Sequence, residues 1–162
     1  MLVKTGLGQD SHAFEDKPSG KRLVLSGVFF DDCPALAGNS DADVVLHAVT
    51  NAVSGVTGIN ILGEVSDRLC LEEGITDSRI YLAEALKYLN DFSLSHLSVS
   101  IECRRPRITP RIPEMKAVLA EVLGLSLGDI GITATSGEGL TPFGKGEGIQ
   151  VLAIVTAVKG DG

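Results

Sequence analysis

Residues 40–52 read SDADVVLHAVTNA, and this stretch decides the fold. Ser40 and Asp41 are good N-cap residues, and Asp43 suits a first helical turn, where a carboxylate faces the positive end of the macrodipole. Val44, His47, Ala48 and Gly55 come next near helical spacing, which predicts a helix over 41–56 ended by Gly55 and Gly58. Working outward, residues 2–10 alternate loosely into a polar turn, as a strand does. Residues 22–30, RLVLSGVFF, predict a second strand with Gly27 as a kink or bulge. Residues 59–75 lack a clean period and predict a loop. Asp77 can cap an amphipathic helix, SRIYLAEALKYLNDF, with Ile80, Ala83, Leu86 and Leu89 along its apolar stripe. Leu97 to Cys103 alternates as a strand. EMKAVLAEVLG predicts a short helix closed by Gly124, and two strands, 130–136 and 149–158, flank a Gly-rich stretch. The intermingled elements predict an α/β (α+β) class and one domain over residues 1–162.

Composition narrows the function. Hydrophobic residues make up 44% of the chain but aromatic ones only 4%, so the core must be aliphatic. The net charge of -7 argues against a general nucleic-acid binder, which needs a basic footprint. Apolar runs such as 149–158 are too short to span a bilayer, and the N-terminus has no signal-like apolar region, so no membrane association and a cytoplasmic location are expected. The three cysteines form no CxxC pair and are expected to be reduced thiols. Four arginines, Arg104, Arg105, Arg107 and Arg111, crowd one segment of an acidic chain, which is how a small anion could be held. Arg104 and Arg105 also fit a solvated basic loop.

Asp10 and His12 stand two residues apart in GQDSHAF, and in extended chain such residues project to one side. With His47 they can supply one carboxylate and two imidazoles, donors that suit zinc at about 2.0–2.2 Å. Three protein ligands leave a fourth position open, as in catalytic sites. Spacing alone equally allows His12 and His47 merely to hydrogen-bond, and His96 has no acidic neighbour in sequence.

The blocks GQDSHAF (8–14), SDADVVLHAVTNA (40–52), TDSR (76–79), PR followed by PRIPEM (106–115), and ATSGE with GKGEGI (134–149) occur in one order along the chain. In this they resemble the 2-C-methyl-D-erythritol 2,4-cyclodiphosphate synthases of non-mevalonate isoprenoid biosynthesis. The resemblance implies a small domain with a mostly four-stranded mixed sheet covered by helices, assembled as a homotrimer with active sites between subunits. It implies zinc on Asp10, His12 and His47, with Ser40 and Asn39 beside the substrate phosphate. Pro106, Arg107, Ala134, Thr135 and Ser136 would enclose a cytidine diphosphate, and Glu138 would hold magnesium or manganese. Ser40, Thr135 and Glu138 would take part in catalysis.

The reaction implied is attack of a substrate 2-phosphate on the β-phosphorus of the same molecule with loss of CMP. That chemistry needs positioning and charge but no protein nucleophile. A zinc phosphohydrolase and a non-catalytic trimeric binding module are the alternatives. Several positions depart from the family pattern. Asn39 replaces a common His, and Asn51 replaces a common Asp that could orient the zinc imidazole. Residues 58–70 do not show the FPDTDP-like loop that in the family covers the diol part of the substrate, and Asp67 is the carboxylate that could serve there. Lys145 replaces an Arg lining the central trimer cavity.

Overall fold

The computed structural model describes residues 1–160. Strand β1 (Leu2–Ala13) pairs antiparallel with the last strand, β6 (Gly148–Lys159), along its whole length. β4 (Ser93–Glu102) pairs antiparallel with β6 and parallel with β5 (Ile130–Thr135), giving a mixed four-stranded sheet in the order β1-β6-β4-β5. Helices α1 (Val44–Thr57), α3 (Ser78–Leu86) and α4 (Ile112–Leu123) cover one face. The core between the layers is aliphatic, as the composition requires, with Tyr81 its largest side chain. On the other face Leu7, Leu152 and Ile154 are exposed in adjoining rows.

The expected strand over 22–30 is instead a hairpin, β2 (Leu23–Leu25) and β3 (Val28–Phe30). Ser26 and Gly27 both take left-handed backbone angles, φ 54° and 70°. Two such residues in a row make the tight turn whose twist matches a hairpin. That turn is fastened to α1. The buried carboxylate of Asp43 accepts the amides of Ser26 (2.8 Å) and Gly27 (2.7 Å) as well as that of Leu46 (3.1 Å). Asp43, not Ser40 or Asp41, is therefore the N-cap, and α1 begins later than its periodicity predicts. Gly58 does close it in a left-handed conformation, φ 77°.

Two other expectations are corrected. Residues 59–75 are not a plain loop, since α2 (Glu64–Asp67) runs into one π-helical turn at Arg68–Glu72. The buried face of α3 is Ser78, Tyr81, Leu82 and Ala85, while Ile80 and Ala83 face solvent. Tyr81 is 1% exposed with its ring 6.3 Å from that of His47 on α1, so the buried face of α3 lies away from the apolar stripe read from sequence. Asp77 caps α3 through the Arg79 amide at 2.9 Å, and Gly124 ends α4 at φ 66°.

The register of α1 on β1 is set by glycine. A Cβ on Gly8 would lie 2.0 Å from the Ala48 carbonyl oxygen, and one on Gly6 equally close to that of Ala52. Gly55 is no helix stop but lies inside α1, where its Cβ would come within 3.3 Å of Gly6 Cα. Helix and strand backbones thus touch directly. Four helical residues, about 6 Å from Ala48 to Ala52, match two strand residues, about 6.7 Å. The next inward-facing strand residue, Asp10, comes level with the turn that carries His47. Gly8→Ala is expected to cost about 3 kcal/mol or more by overpacking against a backbone that cannot give. Gly128→Ala, with nothing within 4 Å, should change little. Comparing the two by thermal unfolding checks this, and a Gly8→Ala protein as stable as the parent would refute the close approach.

Candidate active site

Asp10, His12 and His47 meet at one end of the sheet. Asp10 Oδ2 is 3.0 Å from His12 Nε2 and 3.0 Å from His47 Nδ1, and the two ring nitrogens are 3.3 Å apart. All three ligand atoms lie within 4.8 Å of one another. Asp10 and His12 come from alternate residues of β1, and His47 from the first turn of α1, so the glycine contact below them sets their separation.

The donor set fits a divalent cation. His12 Nδ1 lies 2.8 Å from the Ala37 carbonyl, which can only accept, so Nδ1 carries the hydrogen and Nε2 is left with its lone pair facing the triad. A carboxylate oxygen and ring nitrogens this close repel unless they share a cation or a proton. One carboxylate and two imidazoles are donors that zinc accepts, and they leave a coordination position toward the cavity.

Without metal, protons take that role. Burial opposes charge on Asp10, but the hydrogen bonds and charges of His12 and His47 outweigh it and lower its pKa to about 2. The hydrogen bond to Asp10 raises the His12 pKa above 6.5.

The triad forms the end of a cavity of about 310 Å³ that Asn39, Ser40 and Asp67 also line. Ser40 Oγ accepts the Ala42 amide at 3.1 Å, which leaves its own proton for a ligand oxygen. Sequence reasoning missed Lys21, whose ammonium donates to the carbonyls of Gly38 (2.9 Å), Leu36 (3.0 Å) and Ser40 (3.4 Å) and so holds this loop in place. It also missed Cys70 and Tyr81 in the cavity wall. Burial raises the Tyr81 pKa, and its hydroxyl donates to the Ile75 carbonyl. His47 Nε2 is 2.8 Å from Ser78 Oγ. Asn51 does not orient this imidazole, because its amide donates to the Gln9 carbonyl at 3.0 Å.

A second cavity, about 190 Å³, is lined by Arg104, Pro106, Arg107, Ala134, Thr135 and Ser136 among others. Thr135 Oγ1 accepts the Gly137 amide at 3.1 Å, so its proton too is left for a ligand. Only two of the four crowded arginines line this cavity. Arg105 lies over the Phe14 ring at 5.0 Å, and Arg111 over Phe30 at 4.8 Å while paired with Glu114. Glu138 sits on an exposed turn with φ 55°, and neither it nor Lys145 lines either cavity. His96 lies exposed within β4 opposite Thr156, away from the triad.

Fold and site together define a small α/β enzyme with an open triad of candidate metal ligands. The model of the YgbB family matches residues 3–158, and the chain belongs to that family, the 2-C-methyl-D-erythritol 2,4-cyclodiphosphate synthases. The synthase of Chlamydia felis is 47% identical over 159 residues, 98% of this chain and 90% of that protein. A bifunctional IspDF from Campylobacter jejuni superposes with a TM-score of 0.88 at 27% identity over 99% of this chain, which spans 43% of that longer one. A cyclodiphosphate synthase solved in a CDP-bound form matches with a TM-score of 0.76 at 26% identity, over 96% of this chain and all of that one. Among the described residues no helix is long and apolar enough to cross a membrane.

The opposed shifts of Asp10 and His12 set a pH window for the metal-free protein. A lowered acid adds stability above its ordinary pKa of 3.8 and loses it as pH falls toward 2. A raised base adds stability below 6.5 and loses it as pH climbs through the folded value. With chelator present, Asp10→Asn should therefore be most destabilising between about pH 4 and 6.5, by on the order of 1–2 kcal/mol. The loss should fade at pH 2 and at pH 9. Urea unfolding across that range checks it, and a loss independent of pH would contradict the charge pairing.

Proposed function

We infer that this chain converts 4-diphosphocytidyl-2-C-methyl-D-erythritol 2-phosphate to 2-C-methyl-D-erythritol 2,4-cyclodiphosphate with release of CMP. The observation that carries this reading, beside family membership, is the convergence of Asp10, His12 and His47 on one point of a cavity that Asn39 and Ser40 also line. An oxygen of the 2-phosphate forms the new bond to the β-phosphorus. The bond from that phosphorus to the bridging oxygen breaks, and CMP departs with the electron pair. Substrate supplies both nucleophile and leaving group, so the protein has to orient two anions and offset their repulsion.

Zinc bound to the triad would supply positive charge to the phosphate oxygens and an open position for one of them. Ser40 and Asn39 flank that phosphate, with Lys21 keeping their loop rigid and adding a nearby positive charge. Arg107, aided by Arg104, would balance the cytidine diphosphate, and Thr135 and Ser136 would donate hydroxyl hydrogen bonds to it. Pro106 and Ala134 would enclose the base. Asp67 would take the diol hydroxyls. Glu138 would hold magnesium or manganese against the diphosphate, its exposed carboxylate carried on a tight turn. Lys145 is the residue proposed to face the centre of the assembly.

The two cavities lie at the same end of the sheet beside opposite edge strands, β1 and β5, which three strand spacings set about 14 Å apart. Their placement beside opposite edges supports a homotrimer in which the β5 edge of one copy completes the β1 edge of the next. The bare apolar rows of Leu7, Leu152 and Ile154 would be covered between copies.

His47→Ala is expected to remain folded while turnover falls about 100-fold or more, and Arg107→Ala should raise KM more than it lowers kcat. Phosphorus NMR of the products decides the reaction class. A cyclic diphosphate with CMP is expected, and linear phosphates alone would point to a phosphohydrolase instead.

A further inference from the structure

His47 is anchored from behind by a pair of side chains with no assigned role. Its Nε2 lies 2.8 Å from Ser78 Oγ, and the same hydroxyl is hydrogen-bonded to Asp41 Oδ1. The Ser78 amide donates to Asp41 Oδ2 at 3.0 Å, and the Asp41 amide donates to the Thr76 carbonyl at 3.0 Å. Ser78 is fully buried, and His47 is 8% exposed.

With Asp41 ionised and His47 neutral, the proton count along this chain of groups has one solution. An ionised carboxylate only accepts, and a serine hydroxyl has a single hydrogen. Ser78 therefore donates to Asp41 and presents a lone pair to His47. In the neutral imidazole, the form that a cation binds, His47 Nε2 then carries the hydrogen and donates it, which leaves the Nδ1 lone pair aimed at Asp10 and His12. A backbone carbonyl performs the same service for His12. Here the acceptor is a hydroxyl, polarised by a carboxylate behind it, so the imidazole is made a stronger donor to a cation.

We propose that Asp41 and Ser78 form a positioning relay that fixes the tautomer and ring plane of His47 as a metal ligand. The relay rests on the reading of the triad as a zinc site. Ser78 opens α3 on its buried face, and the chain leading into it, residues 63–77, presents Asp67 and Cys70 to the cavity. The relay therefore ties the metal ligand to the wall that would touch substrate.

Zinc affinity measured against a chromogenic chelator tests this without reference to turnover. Ser78→Ala is expected to bind zinc about 10- to 100-fold more weakly and to change the visible bands of the cobalt-substituted protein. Ser78→Thr keeps the hydroxyl and should stay within about threefold of the parent. Zinc affinity within about twofold of the parent in Ser78→Ala overturns the proposal, as do equal losses in the Ala and Thr variants. Should Ser78→Ala not fold, Asp41→Asn decides by the same measurement, with weaker binding expected and unchanged binding refuting the relay. A parent protein that takes up no zinc overturns the metal reading itself, whereas uptake by the parent with an unaffected Ser78→Ala removes the relay alone.

Discussion

The contact between the backbones of α1 and β1 is the constraint on which the rest of the molecule depends. With no side chain on Gly6 and Gly8, the carbonyls of Ala52 and Ala48 rest directly on the strand. Such an approach fixes three things together: the depth of the helix, its register along the strand, and the distance from His47 to Asp10. A strand slip of two residues would keep the same faces inward but set Asp10 or Lys4 where a glycine must be. The clash with a helix carbonyl makes that error expensive. The glycines therefore check the register of the strand that carries two of the three residues of the candidate metal triad.

Much of the fold is legible from residues alone, and the legible parts share a cause. Strands β1, β4, β5 and β6, the cap at Asp77 and the stops at Gly58 and Gly124 arise from local chemistry, which acts within a few residues. The Asp10–His12 pair is legible for the same reason, since alternation in a strand places both side chains on one face. His47 needs the family resemblance, because nothing local says which strand a helix will touch.

The features that sequence conceals are decided at long range. The N-cap moves to Asp43 because a hairpin turn seventeen positions earlier also needs that carboxylate. The buried face of α3 carries Tyr81, whose ring lies beside that of His47 on α1, a contact that only the folded chain makes. Lys21 carries no pattern at all, and only the folded chain brings three carbonyls to its ammonium. Ser78 lies within the TDSR block without a role of its own, because a serine at a helix start has an ordinary local explanation until His47 is seen beside it.

The placement of the two cavities on opposite edges of one sheet bears on how many working sites an assembly can have. In the proposed arrangement a single chain owns two halves and no whole. A row of copies joined edge to edge always leaves one unmatched metal cradle and one unmatched nucleotide cavity at its ends. Only a closed ring uses every half. Stoichiometry, and not only stability, then rewards closure.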